Sequence, residues 1–247
     1  MRNFVERPLV KTLGKIAGSP RANDKFISWL VLAADKTLLD VACGAGGPAL
    51  RVAALTGCAV TGVDIHEQAI STACSLASQR GLQGRADFRI VDARRQLSFP
   101  EARFDAITCI DAINHLPERL RVLADWERLL KPGGRLLFTN PAVVAGPVTN
   151  AELALRSYSG FYVFVPRGYD EGIIAQCGLK LVACEDRTSN MAEIAERRKN
   201  ARESRSSALR RIEGDAVYEN QQAFLSVTAQ LARDRRLSRF IYVATNA

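Results

Sequence analysis

The sequence predicts an α/β fold built on a parallel sheet, and three observations support this prediction. Between residues 37 and 140, short apolar runs alternate with stretches of helical periodicity, which is typical of parallel strands covered by helices on both faces. A glycine-rich turn follows the first apolar run. The 247 residues are 47% hydrophobic, which is enough to close one large core. We therefore expect a single domain over residues 1–247.

The first elements precede the sheet. A helical pattern covers Pro8 to Ile16, and Asn23 and Asp24 form the N-cap of an amphipathic helix that runs to Leu32. We expect residues 1–35 to form N-terminal lid helices over the ligand-binding edge of the sheet.

The first strand and its turn contain the most informative residues of the chain. Thr37 to Ala42 is short, apolar and branched, as expected of a central parallel strand, and it includes the acid Asp40. The glycine-rich residues 43–47 follow, and Pro48 is acceptable in the first turn of the next helix. Glycines at such a turn allow a sharp bend and let a ligand approach where a Cβ would collide.

A second acid follows the second strand. Ala59 to Val63 is predicted as this strand, and Asp64 ends it 20 residues after Gly44. An acid at this place typically accepts hydrogen bonds from both hydroxyls of a ribose. The sequence thus predicts a nucleoside-binding site at the carboxyl ends of the first two strands.

The charge of Asp40 distinguishes between two nucleoside cofactors. Gly44, Gly46 and Ala49 fit the G-x-G-x-x-A pattern of a dinucleotide site. A carboxylate beside the loop repels a pyrophosphate, whereas it attracts the ammonium and sulfonium groups of S-adenosylmethionine. We therefore predict S-adenosylmethionine as the cofactor.

Further motifs occur in order along the chain. They are Val91-Asp92-Ala93 after a third strand, the strand from Phe104 to Ile110, and the turn at residues 130–136 into a fifth strand. Together with the glycine loop and Asp64, they resemble the class I S-adenosylmethionine-dependent methyltransferases. The resemblance implies a seven-stranded, doubly wound, mostly parallel sheet with a helical lid. It also implies that the last strand, Ser238 to Ala244, lies antiparallel between strands five and six.

The same resemblance implies which residues contact the cofactor. The glycine loop would face the methionine end, Asp64 the ribose, and Asp92 the amino group of the adenine. The complete set of expected cofactor-binding residues is Asp40, Ala42, Cys43, Gly44, Gly46, Asp64, Ile65, Asp92, Ala93 and Ile110.

Asp111 and His115 are the candidate catalytic residues. They follow strand four at the edge of the sheet where ligands bind, and a helical turn starting at Asp111 would place both side chains on one face. Asp111 would hold an ammonium acceptor or take its proton, and His115 would orient the acceptor or act as a base. Alternatively, Asp111 only caps a helix over Asn114 to Leu130, and His115 has no catalytic role.

The segment from Asp111 to His115 also resembles phosphoethanolamine N-methyltransferases, in which an acid and a histidine serve the substrate amine. Residues 142–168 interrupt the strand and helix alternation, as a substrate-lid insertion would. Within this insertion, the segment from Tyr158 to Val163 departs from that family, because it lacks an arginine and a tyrosine that the resemblance implies for binding a phosphate. The aromatic side chains of the insertion fit a cage for a cationic amine, a slot for an aromatic ring, or the underside of a lid equally well. These aromatic residues are Tyr158, Phe161, Tyr162 and Phe164.

The last third of the chain returns to the alternating pattern. A helix is predicted for Tyr169 to Cys177 and a strand for Leu179 to Cys184, followed by two long helical segments over residues 189–232. Basic residues are frequent between residues 197 and 211, but interspersed glutamates make a solvated helix face the favoured interpretation.

Three functions are compatible with these patterns. The favoured one is methyl transfer to a nitrogen or oxygen of a small molecule. The net charge of +8 suggests RNA methylation as an alternative, although strand four lacks the Asn/Asp-Pro-Pro-aromatic turn of enzymes that methylate flipped bases. A cofactor-binding protein that has lost catalysis and acts through partners is the third.

Composition limits the location of the protein and its ligands. No apolar run approaches the roughly 20 residues that span a bilayer, and the amino terminus lacks a secretory hydrophobic region. We expect a soluble cytoplasmic protein that does not bind membranes. Six cysteines without a C-x-x-C pair and two histidines predict reduced thiols and no metal site. Nothing in the sequence specifies an oligomeric state.

Overall fold

A computed structural model describes residues 27–158 and 160–246. The helix expected over residues 8–16 and the first part of the one expected over residues 23–32 lie outside the described residues. Residues 27–30 are helical, as predicted for the end of the second lid helix.

The described residues form a sheet of eight strands. Seven of them follow the order β3-β2-β1-β4-β5-β8-β7, and the short β6 pairs with β5. The pairings from β3 across to β5 are parallel, whereas β8 is antiparallel to both β5 and β7. The strands are β1 (Thr37–Val41), β2 (Ala59–Asp64), β3 (Ala86–Ile90), β4 (Phe104–Cys109), β5 (Leu130–Val144), β6 (Val165–Pro166), β7 (Leu179–Asp186) and β8 (Leu237–Asn246).

This topology confirms the predicted fold class. The main path has the seven strands expected, and the last strand lies antiparallel between its neighbours as the resemblance implies. The one difference is the additional strand β6, which was not predicted because two residues are too few to show a strand pattern in the sequence.

Helices cover both faces of the sheet. Consecutive residues of β1 show why both faces are covered: Leu38 packs into one hydrophobic cluster and Leu39 into another on the opposite face. The helices are α1 (Gly47–Thr56), α2 (Glu67–Gln79), α3 (Arg119–Leu129), α4 (Asn150–Arg156), α5 (Tyr169–Gln176), α6 (Thr188–Glu203), α7 (Ser206–Glu213) and α8 (Asp215–Arg233).

The connection after β4 differs from the single helix expected over Asn114 to Leu130. A 3₁₀ turn spans Ile113–His115, and α3 begins only at Arg119. Leu116 is extended, because the residue before Pro117 is disfavoured in the helical region. The turn and the helix are therefore separate elements.

Residues 188–233 form three helices where two long segments were expected. One break lies at residues 204–205, and the other is at Gly214, whose φ of 81° and ψ of 157° are incompatible with a helix. Helices α6 and α8 pack on each other through Ala195, Leu225 and Ala229. The sequence pattern shows the helical periodicity but does not locate either break.

The expected lid insertion at residues 142–168 begins inside β5 and contains α4 and β6. Thr149 caps α4, because its hydroxyl accepts a hydrogen bond from the Glu152 backbone while the Glu152 carboxylate accepts one from the Thr149 backbone. None of the helices within the described ranges combines the length and apolar character needed to cross a bilayer.

Candidate functional site

The loop after β1 is a tight turn with three left-handed residues. Ala42, Gly44 and Gly46 have φ angles of 55°, 55° and 73°. The Cys43 backbone N–H donates to the Val63 carbonyl at 3.0 Å, which ties the loop to the carboxyl end of β2. The loop is therefore fixed at the edge of the sheet where β1 and β2 end.

The two predicted ligand-binding glycines serve different purposes. A Cβ on Gly44 would meet no atom within 4 Å, so the space above this residue is open to a ligand. A Cβ on Gly46 would lie 2.7 Å from the ring of Phe88, so this glycine is required for packing of the loop on the sheet. The geometry supports direct ligand contact for Gly44 and a structural role for Gly46.

Asp64 lies at the end of β2 and contacts the glycine loop. One carboxylate oxygen accepts the Gly44 N–H at 2.8 Å, and the other accepts the His66 N–H at 2.9 Å and lies 2.9 Å from His66 Nδ1. The predicted ribose acceptor thus also holds the loop, an additional role that the spacing of the motif did not reveal.

Asp40 is almost completely buried in the central strand. Its carboxyl accepts a hydrogen bond from the Thr108 hydroxyl at 2.7 Å, and within the described part of the chain no basic side chain pairs with it. Burial raises the pKa of Asp40 to about 7, and the nearby charge of Asp64 adds to this effect. A cationic ligand is the partner that would stabilise the ionised form.

The remaining predicted cofactor-binding residues differ in which of their atoms a ligand can contact. Asp92 forms a bidentate pair with Arg94 at 2.8 Å for both contacts, which holds the pKa of Asp92 below its usual range. The side chains of Cys43 and Ala93 pack into the hydrophobic clusters, so a ligand can contact only their backbone. Ile65 is exposed, and Ile110 is half-buried against the cluster that contains Cys43.

Asp111 is paired with a basic side chain of the protein itself. Its carboxylate accepts two hydrogen bonds from Arg239, at 2.7 and 2.9 Å, and one from the Thr139 hydroxyl at 2.7 Å. Burial by itself would raise the pKa of Asp111, but the charge and hydrogen bonds of Arg239, with that of Thr139, hold it below its usual range. A carboxylate with this environment is a poor proton acceptor, and its charge is already balanced by the protein's own arginine.

His115 is separated from Asp111 and lies in the 3₁₀ turn. Asp111 has a φ of 53°, so the two residues do not share the helical face expected. His115 Nδ1 lies 2.8 Å from the Phe161 carbonyl oxygen, which assigns the proton of the neutral ring to Nδ1 and leaves the lone pair on Nε2. Burial lowers the pKa of His115, so the neutral ring dominates at pH 7.

A buried polar network holds the segment that contacts His115. Arg119 donates to Asp170 at 2.7 Å and to the Val163 carbonyl at 3.0 Å, and both charged side chains are 98% buried or more. Asn140 donates to the second Asp170 oxygen at 2.6 Å. This network links α3, α5 and β5 to residues 160–164.

A cavity of about 200 Å³ lies beside Asp111, which follows β4, and is also lined by Pro141 of β5. Helices α4, α6 and α8 cover it, and Tyr162 lines it with its ring centroid 4.5 Å from that of His115. Three arginines also line it, namely Arg156, Arg198 and Arg239. In the ranges that the structure covers, no group of three histidine, cysteine or acidic side chains is arranged to hold a metal.

Residues 39–138 match the family model of the methyltransferase domain. These residues form a methyltransferase domain. The 27-O-demethylrifamycin SV methyltransferase of Amycolatopsis mediterranei is 31% identical over 169 residues, which are 67% of this chain and 62% of that protein. A ubiquinone biosynthesis O-methyltransferase of Stutzerimonas stutzeri is 30% identical over 59% of this chain and 62% of its own length. The chain spans less than two thirds of either relative.

Solved structures share the fold of the methyltransferase domain over nearly the whole chain. The [4+2]-cyclase SpnF is 25% identical with a TM-score of 0.79, covering 96% of this chain and 92% of that one. Phosphoethanolamine N-methyltransferase 2 of Haemonchus contortus, solved with S-adenosylmethionine, has a TM-score of 0.83 at 20% identity, covering 99% of this chain and 59% of that one. The predicted family is confirmed, and the Haemonchus contortus enzyme holds the cofactor that the sequence predicts for this chain.

The candidate site contains residues that the sequence analysis missed. Arg239 is the one charged residue of β8 and directly precedes the apolar run from Phe240 to Ala244, and this unusual position was the available signal. Arg198 belongs to the basic segment interpreted as solvated, yet it lines the cavity. Arg156 and Thr139 have no distinguishing pattern in the sequence, because only the tertiary fold brings them to the site.

Proposed function

We propose that this protein transfers a methyl group from S-adenosylmethionine to a nitrogen or oxygen of a small-molecule acceptor. The observation that carries the proposal is the buried Asp40, with no basic partner among the described residues, beside the open space over Gly44. When bound, the cofactor supplies a methyl group on a positively charged sulfur, which is already a good leaving group. The relatives' names, which are those of small-molecule methyltransferases, support an acceptor of this class.

The two halves of the proposed site are adjacent because their strands are paired. Asp40 of β1 is in register with Thr108 of β4, and Asp111 follows β4 directly. The loop would hold the cofactor at the end of β1, and the cavity beside Asp111 would hold the acceptor. Helices α6 and α8 cover this cavity and limit access of water, so the chain contributes mainly positioning.

His115 is the proposed proton acceptor. Its Nδ1–H donates to the Phe161 carbonyl, which orients the ring and leaves Nε2 able to take the proton that the acceptor loses. Tyr162 packs edge-on against this ring and also lines the cavity. His115 itself is not among the lining residues, so the proposal requires the acceptor to extend past Tyr162 to reach Nε2. Asp111 is proposed as a positioning residue that fixes Arg239 and the end of β5, replacing the acceptor-binding role expected from the sequence.

The methyl-transfer proposal is tested first by ligand binding and product formation. S-adenosylmethionine should raise the melting temperature of the full chain, and NAD should not, because only the former carries positive charge toward Asp40. Incubation with a panel of small phenols, alcohols and amines should release S-adenosylhomocysteine. Stabilisation by NAD alone would contradict the proposal.

The role of His115 is tested with His115→Asn, which keeps a donor for the Phe161 carbonyl but has no equivalent of Nε2. We expect unchanged affinity for S-adenosylmethionine and a turnover lowered by about 100-fold. In the wild type, turnover should fall as pH drops below the His115 pKa, which lies under 6.5, and the variant should lose this dependence. Equal turnover and an equal pH profile would exclude His115 as the base.

A cyclisation without methyl transfer is the second candidate function. It is favoured by the match of nearly the full chain to a [4+2]-cyclase at 25% identity. The two functions differ in one measurable product. Conversion of a substrate without formation of S-adenosylhomocysteine would favour cyclisation. Formation of S-adenosylhomocysteine and a methylated product in equal amounts would favour methyl transfer.

RNA methylation receives little support from the basic helices. Arg202 is buried and paired with Glu213, and Arg210 is paired with Asp215 and Glu219. These pairs neutralise much of the basic segment that suggested a phosphate-binding surface. Weak binding of RNA that disappears at moderate salt is the expected result of a retardation assay.

A further inference from the structure

One aromatic residue of the lid segment, Tyr162, packs with Phe224 of α8 against an arginine of the protein itself. Arg156, the last residue of α4, is 97% buried, and its guanidinium lies 5.1 Å from the ring centroid of Tyr162 and 4.8 Å from that of Phe224. Such stacking is the usual cation-π arrangement. Tyr162, one of the four aromatic residues considered for a cage around a cationic amine, therefore already contacts an internal cation.

The hydrogen-bonding groups of Arg156 are mostly unused. Its Nε and Nη1 atoms are buried and have no hydrogen-bond partner, and Nη2 makes only a long contact of 3.4 Å with the Pro141 carbonyl. A guanidinium is always charged in proteins, and a buried charge without an acceptor is costly. Arg156 lines the cavity, so a ligand there can supply the missing acceptor.

Arg198 of α6 lines the same cavity. Neither a hydrogen bond nor a carboxylate partner is found for it among residues 27–158 and 160–246, and burial, with the charges of Arg202 and Arg156, lowers its pKa. Arg239 differs, because Asp111 balances its charge. The cavity lining therefore carries two arginines whose charge is not balanced by a neighbouring carboxylate.

Apart from the arginines, Asp111, Tyr162 and Thr228, the lining is apolar. Met191 and Ile194 from α6 face the cavity together with Phe224 and Leu225 from α8. A ligand that matches this lining has an apolar body with a negatively charged group at one end. A free ammonium group would meet two arginines and no unpaired acid.

We infer that the cavity binds the oxyanion of an amphiphilic acceptor, a carboxylate or a phosphate ester, through Arg156 and Arg198. The statement that this ligand is the methyl acceptor rests on the proposed function. Binding of the oxyanion itself can be measured without any turnover. It replaces the ammonium acceptor expected from the sequence with an anionic one.

The test compares four six-carbon probes: hexanoate, hexyl phosphate, hexanol and hexylamine. Binding to the full chain is measured by calorimetry, with and without saturating S-adenosylhomocysteine. At least one anionic probe should bind more than tenfold more tightly than hexanol and hexylamine, and the stronger of the two identifies the oxyanion. Equal binding of all four, or preference for hexylamine, would overturn the inference.

Matched variants locate the bound anion. Arg198→Gln should weaken binding of the preferred anionic probe about ten- to hundredfold, because a hydrogen bond to a charged group is lost. Arg197→Gln removes the same charge from the exposed neighbouring position and should leave the affinity unchanged. At the buried Arg156 the variant is Arg156→Lys, because Arg156→Ala would remove the side chain from the packed interior. Arg156→Lys keeps the positive charge and should therefore weaken binding of the anionic probe less than Arg198→Gln does. Equal effects of Arg197→Gln and Arg198→Gln would show that the anion binds elsewhere.

The outcome for the cofactor is read separately. Tight binding of S-adenosylhomocysteine without selective anion binding would overturn the inference and leave methyl transfer intact. Selective anion binding without any binding of S-adenosylmethionine or its product would support the anion site and contradict methyl transfer.

Discussion

Replacing Asp40 by asparagine should stabilise the ligand-free protein while weakening its hold on the cofactor. The carboxyl is 97% buried in β1, and its hydrogen bond comes from the Thr108 hydroxyl. An asparagine oxygen can accept the same hydrogen bond. The substitution therefore removes the buried charge and keeps the packing and the hydrogen bond.

The magnitude follows from the pKa of Asp40. It rises from 3.8 to about 7 on folding, which corresponds to about 4 kcal/mol at 1.36 kcal/mol per pH unit. Because the folded pKa is raised, ionisation of Asp40 opposes folding, and the penalty is present above pH 7 and disappears as pH falls toward 4. Asp40→Asn should gain about 2 kcal/mol at pH 5.5 and about 4 kcal/mol at pH 8.

The assay is urea unfolding of wild type and variant between pH 5.5 and 8.5 in the absence of ligand. Asp35→Asn is the control, because this side chain is 76% exposed and its removal should change neither the free energy of unfolding nor its pH dependence. A gain for Asp40→Asn that does not grow with pH, or a loss of stability at pH 8, would refute the assignment of a buried and uncompensated carboxyl.

Cofactor affinity should change in the opposite direction. Wild-type affinity for S-adenosylmethionine should rise between pH 6 and 8, because the cation binds the ionised form of Asp40 and the proton must leave. Asp40→Asn should bind the cofactor more weakly at pH 8 and show no such rise. Affinity equal to that of the wild type at pH 8 would mean that Asp40 does not face the positive charge of the cofactor.

Two further predictions concern the framework of the site. Gly46→Ala should cost about 2 to 4 kcal/mol of unfolding free energy, since its Cβ would collide with Phe88 and its φ is 73°. Gly44→Ala should cost only the backbone strain of about 1 to 2 kcal/mol, yet it should weaken cofactor binding more than Gly46→Ala does. Asp170→Ala should cost about 3 to 5 kcal/mol because it leaves Arg119 buried without its carboxylate, and urea unfolding resolves a loss of this size.

The sequence was sufficient to predict the sheet because strands that are buried on both faces appear in the sequence as short runs of apolar residues. Each of β1, β2 and β4 is a short apolar run, and the turns between elements contain residues with defined backbone preferences. The breaks in residues 188–233 were not predicted because a glycine and a serine within a helical pattern do not by themselves end a helix. Only the packing of α6 on α8 determines where the chain turns.

The cofactor half of the site was more predictable than the acceptor half for a similar reason. Asp40, Gly44 and Asp64 lie within one continuous unit of β1, the glycine loop, α1 and β2, so their spacing in the sequence indicates their positions. Asp111 and Arg239 are 128 residues apart, and no local pattern indicates that they pair. The sequence therefore singles out Asp111 but could not show that Arg239 balances its charge.

The two halves of the proposed site carry opposite charge, and this arrangement has a chemical consequence. Asp40 and Asp64 lie at the cofactor end, whereas Arg156 and Arg198 line the acceptor cavity. If the acceptor is anionic, each half attracts its own ligand and repels the other, so the two ligands cannot exchange places. Under the proposed function, loss of the methyl group would leave the sulfur of the cofactor uncharged and weaken its attraction to an ionised Asp40. Because burial raises the pKa of Asp40 to about 7 in the ligand-free protein, the loss of that charge would favour protonation of the carboxyl and release of the product.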